Sequence, residues 1–342
     1  MKKTLLAALI ATTATSAFAG EIYSTETSKV SMKGEVDAYL ATTDIANKEK
    51  SDADINVWAK VQMDAEQKIN DQLTSFASFE IEAGSNYGKT ETAANFDDVH
   101  VGVKTDTWGI AVGEVGDLAE SADAIQKDDI TNEGNYMGSA GGNHRESKGN
   151  GIVAKTKFGP MTFVADINTT NEKNLDSTYG ISADYAQDIF SIGASFIQGE
   201  TDTDDEYELY GVSASAEFSG VYLAATYAEF KGADKFGFYK TAGTTSNDGQ
   251  WNESTSYELV DGNTLGLAAA YQINDARIYT TYAIASVDNT TANTYGDTTN
   301  WVIGADYAVA SNITAFAEYQ QADADWATED SMTVVTGVYY SF

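Results

Sequence analysis

Three residue types are almost missing from this chain: its 342 residues include no cysteine, one proline and two histidines. The absence of cysteine excludes disulfides and thiolate metal sites. Proline cannot donate a hydrogen bond to a β-ladder, so a chain with a single proline suits a fold made mostly of paired strands.

Positive charge is also scarce: 20 Lys and Arg residues stand against 52 Asp and Glu residues, and the formal net charge is -32. A chain with this charge repels a phosphate backbone, which excludes nucleic acid as a partner. Such acidity is common in disordered proteins, but a content of 42% hydrophobic and 11% aromatic residues argues for a folded chain.

Long hydrophobic runs are missing as well. No segment after the first residues approaches the about 20 apolar residues that a membrane-spanning helix needs. The first residues carry two lysines, then a short apolar run interrupted by threonines, and then small residues at Ala17 and Ala19. These features are typical of a signal peptide. The sequence therefore predicts an export signal over residues 1–19 and one mature domain over residues 20–342.

Apolar and polar residues alternate along most of the remaining chain, which is the pattern of strands with two unlike faces. Ile55 and Val57, for example, fall on one face, whereas Asn56 and Lys60 fall on the other. About sixteen such strands are predicted, at 30–40, 55–64, 73–83, 98–104, 108–115, 151–158, 161–169, 178–185, 189–198, 207–218, 221–230, 264–271, 277–285, 301–307, 313–320 and 332–342. Each is near the about 10 residues that cross a bilayer when tilted, and an even number of antiparallel strands can close into a barrel.

The predicted connections alternate between short and long. The short ones are 69–72, 105–107, 159–160, 186–188, 219–220, 273–275 and 308–312, and the long ones include 41–54, 84–95, 116–150, 231–263 and 286–299. Bacterial membrane barrels place tight turns at the periplasmic rim and long loops outside. Aromatic residues such as Phe158, Tyr185 and Phe218 recur where strands enter the short turns. This recurrence predicts an aromatic girdle at a membrane interface.

A soluble β-sandwich also alternates, but it fills its apolar face with bulky residues. Here the apolar faces are mixed with small residues such as Ala214 and Ala268, and the opposite faces carry charges in mid-strand. Charges in mid-strand need water beside them, which a water-filled barrel supplies. The sequence therefore predicts an all-β fold, a closed antiparallel 16-stranded transmembrane β-barrel.

Several stretches of the chain resemble the general diffusion porins of Gram-negative outer membranes. The resemblance is carried at the two ends by residues 21–23, residues 29–30 and the last strand with its terminal Phe342. The stretches EIYSTETSKVSMKGEVDAYL and WGIAVGEVGDLAESADAIQKDDITNEGNYMGSA are similar to OmpT-like and porin-H-like proteins of vibrios and related marine bacteria. The motifs are short, so the specificity of the resemblance lies in their order together with the barrel layout.

This resemblance implies a homotrimer in outer-membrane lipid that passes small hydrophilic solutes and ions by diffusion. It also implies that the barrel-assembly machinery recognises Phe342, and that the third loop, here about 116–149, folds inward to narrow the pore. The loop lacks the family's Pro-Glu-Phe-Gly-Gly-like tip, which puts its detailed path in doubt. The acids that would line the constriction are Asp117, Glu120, Asp123, Asp128, Asp129 and Glu133.

The family also sets a ladder of arginines on the wall that faces this loop. At matching wall positions this chain has Lys60 and Lys33, together with Glu35 and, by strand parity, Asp98. With few bases opposite the acids, the net potential is negative, and rings of acids favour cations. We therefore expect a cation-preferring pore. The alternative that the loop acids only keep an outer vestibule hydrated stays open.

No residue pattern indicates a catalytic or metal site. His100 and His144 lack the partners of a catalytic triad. The pairs Asp97-Asp98 and Asp128-Asp129 could suit a glycosidase, but spacing alone does not set two carboxyls across a cleft. The acidic run 202–206 lacks the glycine-bearing calcium loop. We expect no enzyme, no metal and no cofactor.

Two further functions remain as alternatives. The first is a substrate-specific channel, for which Trp58 and Phe76 would supply aromatic contacts facing the lumen. The second is a soluble or surface all-β adhesin, which the rhythm of long and short loops disfavours.

Overall fold

The protein is described by a computed structural model for residues 20–44, 51–86, 89–90, 94–116, 120–132, 150–169, 177–200, 206–233, 260–287, 297–325 and 329–342. The predicted signal peptide lies outside these residues. The strands are β1 (Gly20–Ser24), β2 (Ser28–Asp44), β3 (Ser51–Lys68), β4 (Thr74–Asn86), β5 (Lys89–Thr90), β6 (Asn95–Lys104), β7 (Trp108–Gly113), β8 (Gly151–Phe158), β9 (Met161–Asn168), β10 (Thr178–Gln187), β11 (Phe190–Glu200), β12 (Glu206–Phe218), β13 (Val221–Ala233), β14 (Val260–Ile273), β15 (Ala276–Val287), β16 (Thr298–Ala310), β17 (Ile313–Ala324) and β18 (Ser331–Ser341). One 3-10 helix, η1 (Ser121–Ile125), lies between β7 and β8. Within the described residues no helix is long and apolar enough to cross a membrane.

The strands form a closed antiparallel ring. Each strand from β2 to β18 pairs with the next along the chain, with β4 pairing directly to β6, and β18 pairs back to β2. Without the short strands β1 and β5, the described residues supply sixteen wall strands. The predicted closed antiparallel barrel of sixteen strands is confirmed.

The predicted strands match the observed ones closely, and β8 has the predicted bounds. The alternation missed β1 and β5, because five and two residues are too short to show a period. Tight turns connect alternate strand pairs, and at Ser219-Gly220 both turn residues have positive φ, 51° and 80°. Such angles give a turn whose twist matches that of the flanking strands. These turns define the short-turn end of the barrel, and the opposite rim is its long-loop end.

The two faces of the wall differ in chemistry. Large apolar side chains are exposed on one face, among them Val57 (45%), Ile181 (60%) and Ile303 (47%). On the alternate positions, polar residues such as Asn56 and Asp166 are buried. Because a membrane barrel shows its apolar face to lipid, the polar positions line its interior.

Several glycines of the inner face lie directly opposite aromatic rings on the neighbouring strand. Gly304 pairs with Tyr279 and Gly337 with Phe316, and a Cβ on either glycine would overlap the ring of its partner. The ring covers the backbone that the glycine leaves open, which is a known way to stabilise strand glycines.

The end of the chain closes the seam of the barrel. Gly34 and Phe342 exchange two backbone hydrogen bonds, from Gly34 N to Phe342 O (2.8 Å) and from Phe342 N to Gly34 O (2.9 Å). The Phe342 ring also lies over Gly34, where a Cβ would overlap it. Beyond this point β1 pairs with β2 at positions 29–32, on the edge of β2 that β18 does not reach.

Replacing Phe342 by alanine should destabilise the folded barrel. The ring is half-buried, so we expect a loss below the about 3–5 kcal/mol that a fully buried phenylalanine contributes. Urea unfolding of protein refolded in detergent measures this loss without the cellular assembly machinery. Ser341→Ala leaves the ring in place and is the control, and equal stability of the two variants would contradict the role of the seam contact.

Candidate functional site

The residues between β7 and β8 that the structure describes form segment 120–132, which begins with η1. The backbone N–H of Glu120 donates to the Asp123 carboxylate (3.0 Å), which stabilises the start of η1. Glu120, Ser121 and Ile125 are buried, whereas Asp123 is exposed. Segment 120–132 is therefore packed against other parts of the protein rather than extended into solvent.

The first half of segment 120–132 is bound to the inner faces of β9, β10 and β13. The Ser121 N–H donates to Asp166 on β9 (2.5 Å), and the Lys127 ammonium contacts Asp184 on β10 (2.5 Å). The Thr226 hydroxyl on β13 donates to Asp128 (2.6 Å). Lys127 and Asp128 are 8% and 1% exposed, so these charges are held in a largely desolvated contact where hydrogen bonds count strongly.

The second half of the segment is bound to β15, β16 and β17. The Asn132 N–H donates to Glu318 (2.5 Å) and its side-chain amide donates to the Tyr279 hydroxyl (2.8 Å), which in turn donates to Glu318 (2.5 Å). Arg277 donates to Asp306 (2.5 and 2.8 Å) and to the Ile130 carbonyl (3.2 Å). A connected network of this kind fixes the position of the backbone at residues 130–132.

Three glycines of the inner wall provide the seat on which η1 lies. A Cβ on Gly180 would overlap Ser121, and a Cβ on Gly193 would overlap the carbonyl group of Ala124. A Cβ on Gly211 would lie 3.0 Å from the Ile125 Cδ1. These glycines stand on β10, β11 and β12, so the backbone of three consecutive strands is left bare where η1 packs.

The wall formed by β3 and β4 pairs bases with acids. Lys60 on β3 contacts Glu80 on β4 (3.0 Å), and both side chains are mostly buried. The Lys60 ammonium also lies over the ring of Trp58, 5.4 Å from its centroid. The predicted wall base is thus held between an acid and an aromatic ring. Lys33 and Glu35 lie half-buried on β2, on the face that carries Asp37.

A bulge in β6 interrupts the alternation on which the predicted wall position of Asp98 depends. Ser78 pairs with His100 and Glu80 with Asp97, so between these pairs two residues of β6 stand against the single residue Phe79 of β4. Asp98 is one of them and has φ 51°. Asp97, rather than Asp98, stands opposite the buried Glu80. A place for Asp98 on the pore wall remains a prediction.

The six predicted loop acids have different surroundings. Glu120 and Asp128 are buried, Asp129 is half-buried and Asp123 is exposed. Asp117 and Glu133 lie outside the described residues, as does His144. Segment 120–132 therefore brings four of the six acids together, and at least one of them serves as an attachment to the wall.

Sequence reasoning missed the residues that hold the segment. The alternation places Arg277, Tyr279, Asp306 and Glu318 in strands and indicates nothing further about them. One signal was available, because Arg277 is the only basic residue after Lys240. A single base in a long acidic stretch, placed on the polar face of a strand, indicates a specific partner.

Within the described residues, His100 is the remaining candidate for catalytic chemistry. The His100 ring packs edge-on against Phe76, with ring centroids 6.0 Å apart. Its Nδ1 is buried without a hydrogen-bond partner. The described surroundings of His100 thus supply neither an orienting hydrogen bond nor a nucleophile for general-base catalysis.

Comparison with known proteins agrees with the geometry of the barrel. The model of a family described as Gram-negative porin matches residues 6–327. Outer membrane porin C of Salmonella typhimurium is 23% identical, over 95% of each chain. Among solved structures, OmpF of Salmonella typhi in complex with daunomycin superposes with a TM-score of 0.71, at 17% identity, over 94% of this chain and 100% of that chain. A loop-deletion mutant of OmpT, an outer membrane protein of Vibrio cholerae, superposes with a TM-score of 0.68, at 15% identity, over 93% of this chain and 100% of that chain.

Proposed function

The chain belongs to the Gram-negative porin family and is an outer-membrane diffusion channel rather than an enzyme, and from this premise we propose that it passes small hydrophilic solutes and ions with a preference for cations. The observation that carries the proposal is the attachment of segment 120–132 to the inner wall from β9 to β17. The route for solutes would then run between this segment and the wall from β2 to β8.

The contacts of the segment support an inward path for the third loop. Its hydrogen-bond partners Asp166, Thr226, Arg277 and Glu318 belong to four different strands and all lie on the polar face of the wall. These strands lie far apart around the barrel, so a segment that contacts the inner faces of all four would narrow the lumen. Since the contacts are numerous and mostly buried, we infer a fixed constriction rather than a mobile lid.

The balance of charge supports the cation preference. The chain has a formal charge of -32, and Lys60, the predicted wall base, is paired with Glu80. A paired base attracts anions weakly, whereas acids gathered at a narrow point favour cations. We propose that Asp123 and Asp129, with Asp117, Glu133 and Glu35, set this preference. Glu120 and Asp128 would instead hold the segment in place.

The outer surface suits the proposed partners. Exposed apolar residues cover the outer face of the wall and would contact outer-membrane lipid. Assembly into a homotrimer and recognition of Phe342 by the barrel-assembly machinery are part of this proposal and rest on the family.

A substrate-specific channel is the less favoured function. The two inner aromatic residues that could bind a sugar, Trp58 and Phe76, are each covered by a lysine. Lys60 lies 5.4 Å from the Trp58 ring and Lys104 lies 5.3 Å from the Phe76 ring. Cation–π contacts of this kind occupy the faces on which a sugar would stack.

Planar-bilayer recording of the purified protein tests the proposed function. We expect stable single-channel steps and, in a salt gradient, a reversal potential of the sign that cation permeation produces. Glu80→Gln should move the reversal potential towards anions, because it removes the carboxylate that lies 3.0 Å from Lys60, and Lys60→Gln should move it the other way. A wild-type reversal potential that favours anions would refute the cation preference.

A further inference from the structure

A row of lysines crosses the inner wall near the short-turn end. Lys68 on β3 stands opposite Thr74, which stands opposite Lys104 on β6. Lys104 in turn stands opposite Gly109, which stands opposite Lys155 on β8. The three lysines therefore lie in one cross-strand row, each two strands from the next, or about 10 Å apart at the backbone.

The row lies on the inner face of the wall. Lys104 covers the ring of Phe76, which packs against a cluster that contains the buried residues Val153 and Val164. Lys155 is two residues from Val153 and pairs with Val164, so it shares their face. Lys157, two residues further along β8, extends the basic surface towards the turn. We call Lys68, Lys104, Lys155 and Lys157 the lysine row.

Most of the lysine row is not neutralised. Glu66 pairs with Lys104 (2.5 Å), and both side chains are about half exposed. Among the described residues, Lys68, Lys155 and Lys157 are exposed and have no carboxylate within ion-pair distance. The nearby Asp184 is held by Lys127 and Ser191. Two exposed acids, Asp71 and Asp106, lie in the turns beyond the row.

The opposite rim has the reverse charge. Among the side chains that the structure describes at the long-loop end, Lys231 is the one basic residue. Its ammonium contacts Glu208 (2.9 Å). The acids there include Asp44, Asp52, Asp54, Glu114, Glu200, Glu206, Glu208, Glu229, Asp261, Asp297, Asp323, Asp325, Glu329 and Asp330. The free positive charge of the described wall is thus gathered at one end of the barrel.

We propose that the lysine row is a binding site for multivalent anions, of the chemical class that carries two or more linked phosphate groups. Lysine ammonium groups bind phosphate oxygens as point charges on flexible stems, so neighbouring members of the row can reach one anion. Only Thr74 and Gly109 stand between Lys68, Lys104 and Lys155 in the row, and neither carries a charge. The proposal deepens the proposed function, since it gives the channel an anion site at the end opposite its acidic rim.

Binding of inorganic tripolyphosphate to the full mature chain in detergent tests the site without requiring a channel. Calorimetry at about 0.1 M salt keeps the electrostatic attraction measurable. We expect saturable binding that is weaker for monophosphate. The variant Lys68→Gln with Lys155→Gln and Lys157→Gln should weaken tripolyphosphate binding at least about tenfold, because it removes three exposed charges from the site. Lys155→Gln alone should weaken binding more than Lys231→Gln, its matched control at the other rim.

Bilayer recordings then locate the site. Tripolyphosphate should reduce the current at lower concentration from the short-turn side than from the long-loop side, and the triple variant should lose this difference. Absence of calorimetric binding, or equal binding by the wild type and the triple variant, would overturn the anion site. Binding without any channel current would leave the site intact and refute the proposed function instead. Equal block from both sides would overturn its placement at the short-turn end.

Discussion

Replacing Gly193 by valine is expected to lower the single-channel conductance, because it would push η1 away from the wall and into the proposed path of the ions. Even the Cβ of alanine would overlap the Ala124 carbonyl at this position. The hydrogen bonds from Ser121 to Asp166 and from Asn132 to Glu318 lie on either side of the overlap and hold the segment at two points. The segment can therefore bulge inward more easily than it can leave.

The cost of this overlap sets the size of the effect. Forcing extra methyl groups into a packed contact costs about 1–3 kcal/mol, which corresponds to a shift of about 5- to 150-fold in favour of the displaced segment. The displaced segment would then be present in most channels, so the lower conductance should appear in most single-channel current steps. Single-channel recording at high salt measures the conductance, and circular dichroism checks that the variant keeps its β-content.

Gly109→Val is the matched control for Gly193→Val. Gly109 also stands on the inner face, but the nearest atoms to its added Cβ, Lys104 Cβ and Val103 O, are 3.4 Å away and segment 120–132 is not among its neighbours. We expect its conductance to stay closer to that of the wild type. An unchanged conductance in Gly193→Val would mean that η1 does not border the pore. A raised conductance would mean that the segment leaves the lumen altogether.

The barrel could be predicted from the sequence because its signal is repeated in every strand. The alternation around Val57 or Ile181 is a local pattern with a period of two. Every wall strand has lipid on one side and water on the other, so the same pattern recurs in all sixteen. The alternation carries less information where the period itself breaks. At the β6 bulge one extra residue interrupts the period, so parity alone does not fix the face of Asp98, and Asp97 stands opposite Glu80.

The site was less predictable because its contacts join residues far apart in sequence. Asn132 and Glu318 are 186 positions apart, and nothing local marks either as a partner of the other. Gly193 resembles any small residue of a strand until η1 is seen to lie on it. Sequence reasoning identified the acids of the loop by order and resemblance, but it could not separate Asp128, which is held by Thr226, from the exposed Asp123.

Replacing Asp123 and Asp129 together by asparagine should reduce the preference for cations. Asp123 is exposed on η1, and Asp129 is half-buried in the second half of the segment. A unit charge about 8 Å from a permeating ion contributes about 0.5 kcal/mol in water. Losing two such charges should therefore disfavour cations about fivefold and favour anions by a similar factor, so the permeability ratio of cations to anions should fall by at least about fivefold. The reversal potential in a salt gradient measures this ratio, and the conductance at high salt should change little because the asparagine side chains keep the same volume.

Removing two carboxylates elsewhere in the protein shows whether selectivity depends on the local charge of segment 120–132 or on the overall negative charge of the protein. Asp71 and Asp188 lie exposed in two turns of the short-turn end, away from segment 120–132. Mobile ions screen exposed charges beyond about 8–10 Å, so Asp71→Asn with Asp188→Asn should move the reversal potential far less. If both double variants shift it equally, selectivity comes from the overall charge of the channel. If neither double variant shifts the reversal potential, Asp123 and Asp129 do not face the permeating ions. The charge that sets ion selectivity would then lie on the wall beside Lys60 and Glu80.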